Sequence, residues 1–421
     1  MRRVAALAVT IVSVLCAQTP KDVRAVAKQG PTAIPTVAQY LNSGDTGTRL
    51  EAVKQLINIG GPQTVDPLLR ATRDNDPEIQ MRATDGLVNY YLPGYVRTGL
   101  GSSLVRAGNS IKAKFGDTND KVIDAFVIVR PDVISAIGAL ARGGSTMDVR
   151  ANACRAIGIL RGQAALPDLL EALQTKDNNV MVEALIAIEK IRDPSLGPRI
   201  TYLLRDLDDR VQAAAIDTAG VLRDKDGLPT LRAIVNNPRN KKAERAALAA
   251  IALMPETQDR AVFSSYLNAK DEKLRAAAAE GLARIGDPAD VPALEKMWDA
   301  EDEKMLPRLA AAFGLVMSGK LDLTEQAPLR YLISTLNQAA FHDVAYAYLV
   351  EAARRPQVRA ALYAPMEQGS RDEKIYLARV LAASGDQSSV SYLEKISRDS
   401  DQDVAQEGLR SLRSLRARLK I

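Results

Sequence analysis

The chain has one histidine, two cysteines and one tryptophan in 421 residues, and aromatics make up only 4% of it. So little cysteine excludes a disulfide-built scaffold, and the single histidine excludes a zinc finger or any histidine-rich metal site. Few aromatics beside 47% hydrophobic residues call for an aliphatic, alanine-rich core. Such a core suits close-packed helices better than a β-sandwich, and that much apolar material excludes wholesale disorder. Catalytic signatures are missing as well. There is no Gly-x-Ser-x-Gly elbow and no phosphate-loop motif, and Gly99-Leu100-Gly101 follows no strand and lacks a third glycine. A Ser/His/Asp triad would have to use His342, which stands in Phe341-His342-Asp343, where a surface or capping role fits better. The sequence thus predicts a non-enzymatic protein with no catalytic residue, metal or cofactor. Basic residues outnumber acidic ones by only 56 to 51, for a net charge of +5, which does not imply nucleic acid.

The first residues read as a targeting signal. Arg2 and Arg3 precede an uncharged run from Val4 to Ala17, and polar Gln18, Thr19 and Pro20 follow. Fourteen apolar residues are too few to span a bilayer, which needs about 20, so residues 1–17 are expected to be a secretory signal peptide. An uncleaved or lipid anchor at Cys16 is the alternative, with bulky Leu15 speaking against it. Cleavage places the protein in the bacterial envelope, periplasmic or secreted. It removes two positive charges and leaves Cys154 as the single cysteine, inside a helix where it is expected to pack rather than react.

The rest of the chain repeats itself. Triplets of a small or apolar residue, a second four on and a third three further recur as Ala52/Leu56/Ile59, Ala153/Ile157/Leu160, Ala184/Ile188/Ile191, Ala215/Ala219/Leu222, Ala246/Ala250/Leu253 and Ala278/Leu282/Ile285. That spacing is one stripe of an α-helix. The step is 31 residues from Ala153 to Ala184, Ala215 and Ala246, then 32 to Ala278, with weaker copies at Ala311, Ala345, Leu377 and Ala405. Ala52, Ala83 and Ala125 complete about twelve units upstream. Pro167, Pro198, Pro229 and Pro292 keep the same phase, each in the first turn of an apolar helix, where its missing N–H costs nothing. Gly162, Gly227 and Gly286 are expected to close the preceding helices. Each unit is therefore a helical hairpin that cannot bury its stripe alone and must stack on its neighbours. The expected fold is all-α, an α-α superhelical solenoid over residues 21–421, with Lys21–Gln29 as an N-terminal capping helix.

With Asp148-Val149-Arg150 before Ala153, and Leu274-Arg275 before Ala278 leading to Gly286-Asp287-Pro288, the pattern resembles the HEAT-repeat family, particularly its short bacterial, phycobilisome-lyase type. The resemblance implies a HEAT/armadillo-like solenoid whose second helices line a concave binding face. It does not fix a function, since members scaffold, regulate, modify and transport. The metal-binding HEAT-like hydroxylases use several His-Glu pairs, and this chain has none.

One interruption breaks the period. Ala83 and Ala153 are 70 residues apart, about eight more than two units need. The excess falls in an irregular insertion at about 92–121, rich in glycine and flanked by aromatics. Tyr90, Tyr91, Tyr95, Arg97, Arg106, Lys112, Lys114 and Phe115 are the candidate partner-binding residues, because insertions in repeat proteins often bind. The plainer alternative is a degenerate repeat whose tyrosines pack the joint. At the other end, Leu409, Leu412, Leu415 and Leu419 form a stripe on a basic helix that reads as a terminal cap, with contact to an anionic membrane or acidic partner as the alternative. The functional expectation is an exported scaffold or adaptor that binds a protein or peptide through its concave face. A lyase-type accessory enzyme and a structural envelope spacer are the alternatives.

Overall fold

A computed structural model describes residues 19–96 and 121–421, and every regular element among them is helical. The chain forms two compact units. The first comprises Met1–Lys121 with Val129–Ala172, and the second Val122–Ile128 with Leu173–Ile421.

In the first unit a lone helix, Pro20–Ala27, precedes three hairpins. Their first helices begin at Ile34, Val65 and Pro131, and their second helices are Thr46–Ile59, Pro77–Tyr91 and Met147–Ile159. The helix Leu166–Ala172 ends the unit. The second unit opens with Asn178–Ile191. Seven hairpins follow, whose second helices are Asp209–Leu222, Lys241–Leu253, Glu272–Ile285, Met305–Met317, His342–Ala352, Arg371–Ser384 and Gln402–Leu419. Within each unit successive second helices stack directly on one another.

The caps explain where the second helices start. Asp45, Asp76, Thr146, Asp177, Asp208, Asn240, Asp271 and Asp401 each accept a hydrogen bond from a backbone N–H of the following first turn. Each such cap is worth about 1 kcal/mol. From Asp177 to Asp208, Asn240 and Asp271 the steps are 31, 32 and 31 residues. The extra residue therefore lies before Asn240, and it moves the core stripe of that hairpin by one. Ala247, Ile251 and Met254 are buried there, whereas Ala246 and Leu253 are half-buried. In the last helix, likewise, Val404 rather than Ala405 takes the anchor position. The other anchors, from Ala52 through Ala83, Ala153, Ala184, Ala215 and Ala278 to Ala311, Ala345 and Leu377, are fully buried.

Ala125 is not an anchor. Residues 121–130 are extended around a turn at Ala125–Phe126, closed by the Val127 N–H donating to the Asp124 carbonyl at 3.0 Å. The apolar run Val122–Val129 contains Asp124 in place of the helical alternation that a second helix needs, so the unit expected there does not form. Gly162 and Gly227 also differ from expectation. Each has a negative φ and precedes or ends a short 3₁₀ turn, while Arg161, Arg192 and Arg223 adopt the left-handed conformation at helix C-termini. Six-to-one hydrogen bonds, such as Asp224 N–H to the Ala219 carbonyl at 2.9 Å, offset the cost of a Cβ in that region. Only Gly286 closes its helix as expected, at φ 72°.

Two ladders of ion pairs tie neighbouring repeats together. On the second helices, Arg49 pairs with Asp74 at 2.7 Å, Arg275 with Glu303 at 2.7 Å, Lys374 with Asp399 at 2.8 Å, and Arg245 with Asp271. On the first helices, Arg142 pairs with Asp168 at 2.5 Å, Arg232 with Asp259 at 2.7 Å and Arg260 with Asp290 at 2.7 Å. Glu303 is therefore a half-buried inter-repeat acceptor and not a solubilising charge. Bidentate pairing with arginine adds direction as well as energy, which fixes the offset of one hairpin on the next.

Candidate partner-binding face

The tyrosines beside the insertion serve the first unit. Tyr90 and Tyr91 meet edge to face with ring centroids 4.8 Å apart. The Tyr91 hydroxyl accepts the Arg130 backbone N–H at 3.2 Å, and loss of water pushes that phenol up from its usual value. Tyr95 sits in a turn, its N–H donating to the Leu92 carbonyl at 3.1 Å, and all three tyrosines are half-buried. Arg97, Arg106, Lys112, Lys114 and Phe115 lie outside the described residues, as does the leader 1–17.

The second unit holds a buried ionic network that sequence reasoning missed. Arg284, on Glu272–Ile285, donates to Glu351 at 3.0 Å, to Glu280 at 2.8 Å and to the Ala252 carbonyl at 3.0 Å. Its guanidinium lies 5.3 Å from the Phe313 ring centroid. Burial works against its charge, but Glu280 and Glu351 outweigh it and hold the proton more tightly than usual. Tyr348 stacks on Phe313 with centroids 4.7 Å apart and donates its O–H to Glu280 at 2.6 Å. Burial, and then Glu280, raise that phenol well above its ordinary range. One side chain thus binds four successive second helices, because the intervening helix Met305–Met317 is thin. Ala310, Ala311, Ala312 and Gly314 let its neighbours close over it.

Beyond this network the same face is wetter. Tyr346, Tyr376, Arg379, Glu407 and Arg410 follow one another across three second helices. The Arg379 guanidinium lies 5.1 Å from the Tyr376 ring centroid and donates to Glu407 at 2.8 Å. Glu407 is also 3.8 Å from Arg410. Arg410 donates from Nε and Nη2 to both oxygens of Asp124, at 2.7–3.0 Å. Loss of water raises the Tyr346 phenol, while Arg379, Arg192 and Arg410 oppose that shift. Arg192 belongs to the opening helix of the unit, five second helices away, so this face of the second unit turns in upon itself. Near the opening helix, Asp217 and Glu189 carry raised pKa values. Desolvation by the surrounding helices pushes Asp217 to about 6, although its side chain keeps one open side, and Lys242 opposes the shift. Desolvation and then Asp217 raise Glu189. The signal for these residues was the polar minority on the stripe opposite the anchors, which periodicity alone cannot rank.

His342 begins its helix, with Nε2 3.1 Å from Asp343 and its ring 4.9 Å from Tyr376. Cys154 is fully buried. In the terminal helix Leu412 and Leu415 are buried while Leu409 is 46% exposed, so the stripe is narrower than expected. Arg416 pairs with Glu394 at 2.6 Å and Arg418 donates to the Ala382 carbonyl at 3.2 Å. These contacts serve a cap. Among the described residues no cluster of three metal-ligating side chains occurs, and no helix is long and apolar enough to cross a membrane.

Stacked hairpins with an aliphatic spine and a polar second-helix face define an α-α solenoid, a repeat scaffold. The family model of HEAT repeats matches residues 21–91, 134–206 and 237–315, more than half of the chain, and the protein belongs to that family. Similar solved structures include the complex of CpcE and CpcF of phycocyanin lyase from Nostoc sp., at 20% identity over 63% of this chain and 92% of that one, TM-score 0.38. A second is the Escherichia coli protein YibA, at 13% identity over 71% and 95%, TM-score 0.42. An engineered protein matches at 17% identity over 91% and 98%, TM-score 0.32. No curated protein matches the chain in sequence.

Proposed function

We propose that the protein is an exported, non-enzymatic scaffold that binds a protein or peptide through the second-helix face of its second unit. The observation that carries this is the line of half-buried Tyr346, Tyr376 and Arg379 leading to exposed Arg410 on successive second helices. Aromatic and arginine side chains anchored in this way are the residue types that dominate binding energy at protein interfaces. Elsewhere the second helices contribute mainly alanine and leucine to the core, so nothing in packing calls for this run. Burial of Cys154 supports a packing role over lyase-type thiol chemistry. The Arg2-Arg3 start and the apolar run to Ala17 support export.

Affinity capture from envelope extract with wild type and with the double variant Tyr376→Ala/Arg379→Glu tests the binding site. Wild type is expected to retain a discrete partner that the variant loses. Equal recovery by both would contradict the assignment. N-terminal sequencing of the exported protein is expected to begin near Gln18, and an intact Met1 in the envelope fraction would contradict cleavage.

A further inference from the structure

The segment Val122–Ile128 is far in sequence from the second unit yet belongs to it. It is extended, and Ile123 is only 4% exposed. Asp124 makes a bidentate pair with Arg410, 286 residues away. The neighbouring charges explain the attraction. Glu407 serves both Arg379 and Arg410, so two guanidinium groups share one carboxylate and leave one positive charge unmatched. Around Arg410 the terminal helix carries only further basic groups toward its end, from Arg413 to Lys420. The phenol of Tyr346 and the guanidinium of Arg192 also act on this place. Asp124 supplies the missing negative charge, and Ile128, at 89% exposure, shows that the strap as a whole is not a piece of core.

Resting on the scaffold reading above, we propose that Val122–Ile128 is a ligand bound in cis. The same face takes, in trans, an extended peptide carrying a carboxylate directly after a buried aliphatic residue. An arginine that accepts a carboxylate in two parallel hydrogen bonds selects for geometry as well as charge, and a lysine or an amide cannot reproduce it. Tethering gives the strap an effective concentration on the order of millimolar. A free peptide at micromolar concentration therefore competes poorly until the strap is released.

The test uses full-length protein and a fluorescein-labelled peptide spanning residues 119–130, followed by anisotropy. The peptide is expected to bind Asp124→Ala protein at least tenfold more tightly than wild type, and to lose that gain in the Asp124→Ala/Arg410→Glu protein. A peptide carrying Asp124→Lys is expected to show the reverse preference between the two variants. No binding to the Asp124→Ala protein, or equal binding with and without Arg410→Glu, overturns the proposal. Should the released variants fold poorly, hydrogen exchange of amides 122–128 decides. Protection is expected to fall in Arg410→Glu and return in the swapped pair Asp124→Lys/Arg410→Glu, and unchanged protection in Arg410→Glu overturns it. Failure of the peptide with continued loss of the envelope partner in Tyr376→Ala/Arg379→Glu removes the strap while leaving the scaffold. Peptide binding without any such partner does the opposite.

Discussion

Replacing Arg284 with alanine removes the one cation that joins Glu280, Glu351 and the Ala252 carbonyl. The guanidinium side chain is 8% exposed and its two carboxylate partners are 23% and 20% exposed, so the variant leaves two crowded, poorly solvated negative charges. Breaking a buried pair by removing one partner costs about 3–5 kcal/mol. For a unit of this size about 2–4 °C of Tm follows each kcal/mol, giving a fall of roughly 6–20 °C. Thermal unfolding followed by circular dichroism at pH 7.5 measures it. The pH dependence has a definite sign. Without Arg284 the folded-state pKa values of Glu280 and Glu351 rise above their unfolded values near 4.3, so protonation favours the folded variant. The deficit is therefore largest at neutral pH and shrinks as pH falls toward 4. The triple variant Glu280→Gln/Arg284→Met/Glu351→Gln, which buries no charge, should lie within about 1–2 kcal/mol of wild type. A loss below about 1 kcal/mol for Arg284→Ala, or a deficit that grows in acid, would refute the reasoning.

Other expectations test the packing. Loss of water around Asp85 pushes its carboxyl up to about 6, despite a hydrogen bond from Asn152 at 3.2 Å. The stability it contributes is complete below pH 4 and disappears as pH rises through 6, so Asp85→Asn should gain on the order of 1–2 kcal/mol at pH 8 and nothing at pH 4, by urea unfolding. Gly281→Ala would place a methyl group 2.4–2.5 Å from the Phe263 ring, and should lose about 1–3 kcal/mol in the same assay. A neutral effect would mean that the hairpins slide freely. Cys154, fully buried, should resist a thiol reagent until the protein is unfolded, and rapid reaction of the native protein would count against its packing role.

The repeat was legible because the anchors and prolines record the stacking period directly. The caps record it better. Asn240 in phase with Asp208 and Asp271 reveals the inserted residue that alanine alone hides, since Ala246 and Ala247 are indistinguishable as letters. Ala125 misled because an alanine at roughly the right distance counts as an anchor only if its neighbours alternate helically, and Val122–Val129 do not. The ion-pair ladders were invisible for a different reason. Arg275 and Glu303 are 28 residues apart, and charge in a turn reads as solvated until the next repeat is laid upon it. The inner network is harder still, because Arg284 and Glu351 are 67 residues apart and skip a whole hairpin. Their meeting depends on the small residues of Met305–Met317, a property of three helices together. The tyrosines at 90–95 were conspicuous by enrichment, yet Tyr91 serves the Arg130 backbone.

Site-specific photocrosslinking tests the binding face most directly. A benzoylphenylalanine at position 376, on the second-helix face, is compared in intact cells with one at the exposed position 391 of a first helix. The account predicts a discrete crosslinked product from position 376 that is lost with Arg379→Glu and absent from position 391. Identical products from both positions, or none from position 376, would contradict it.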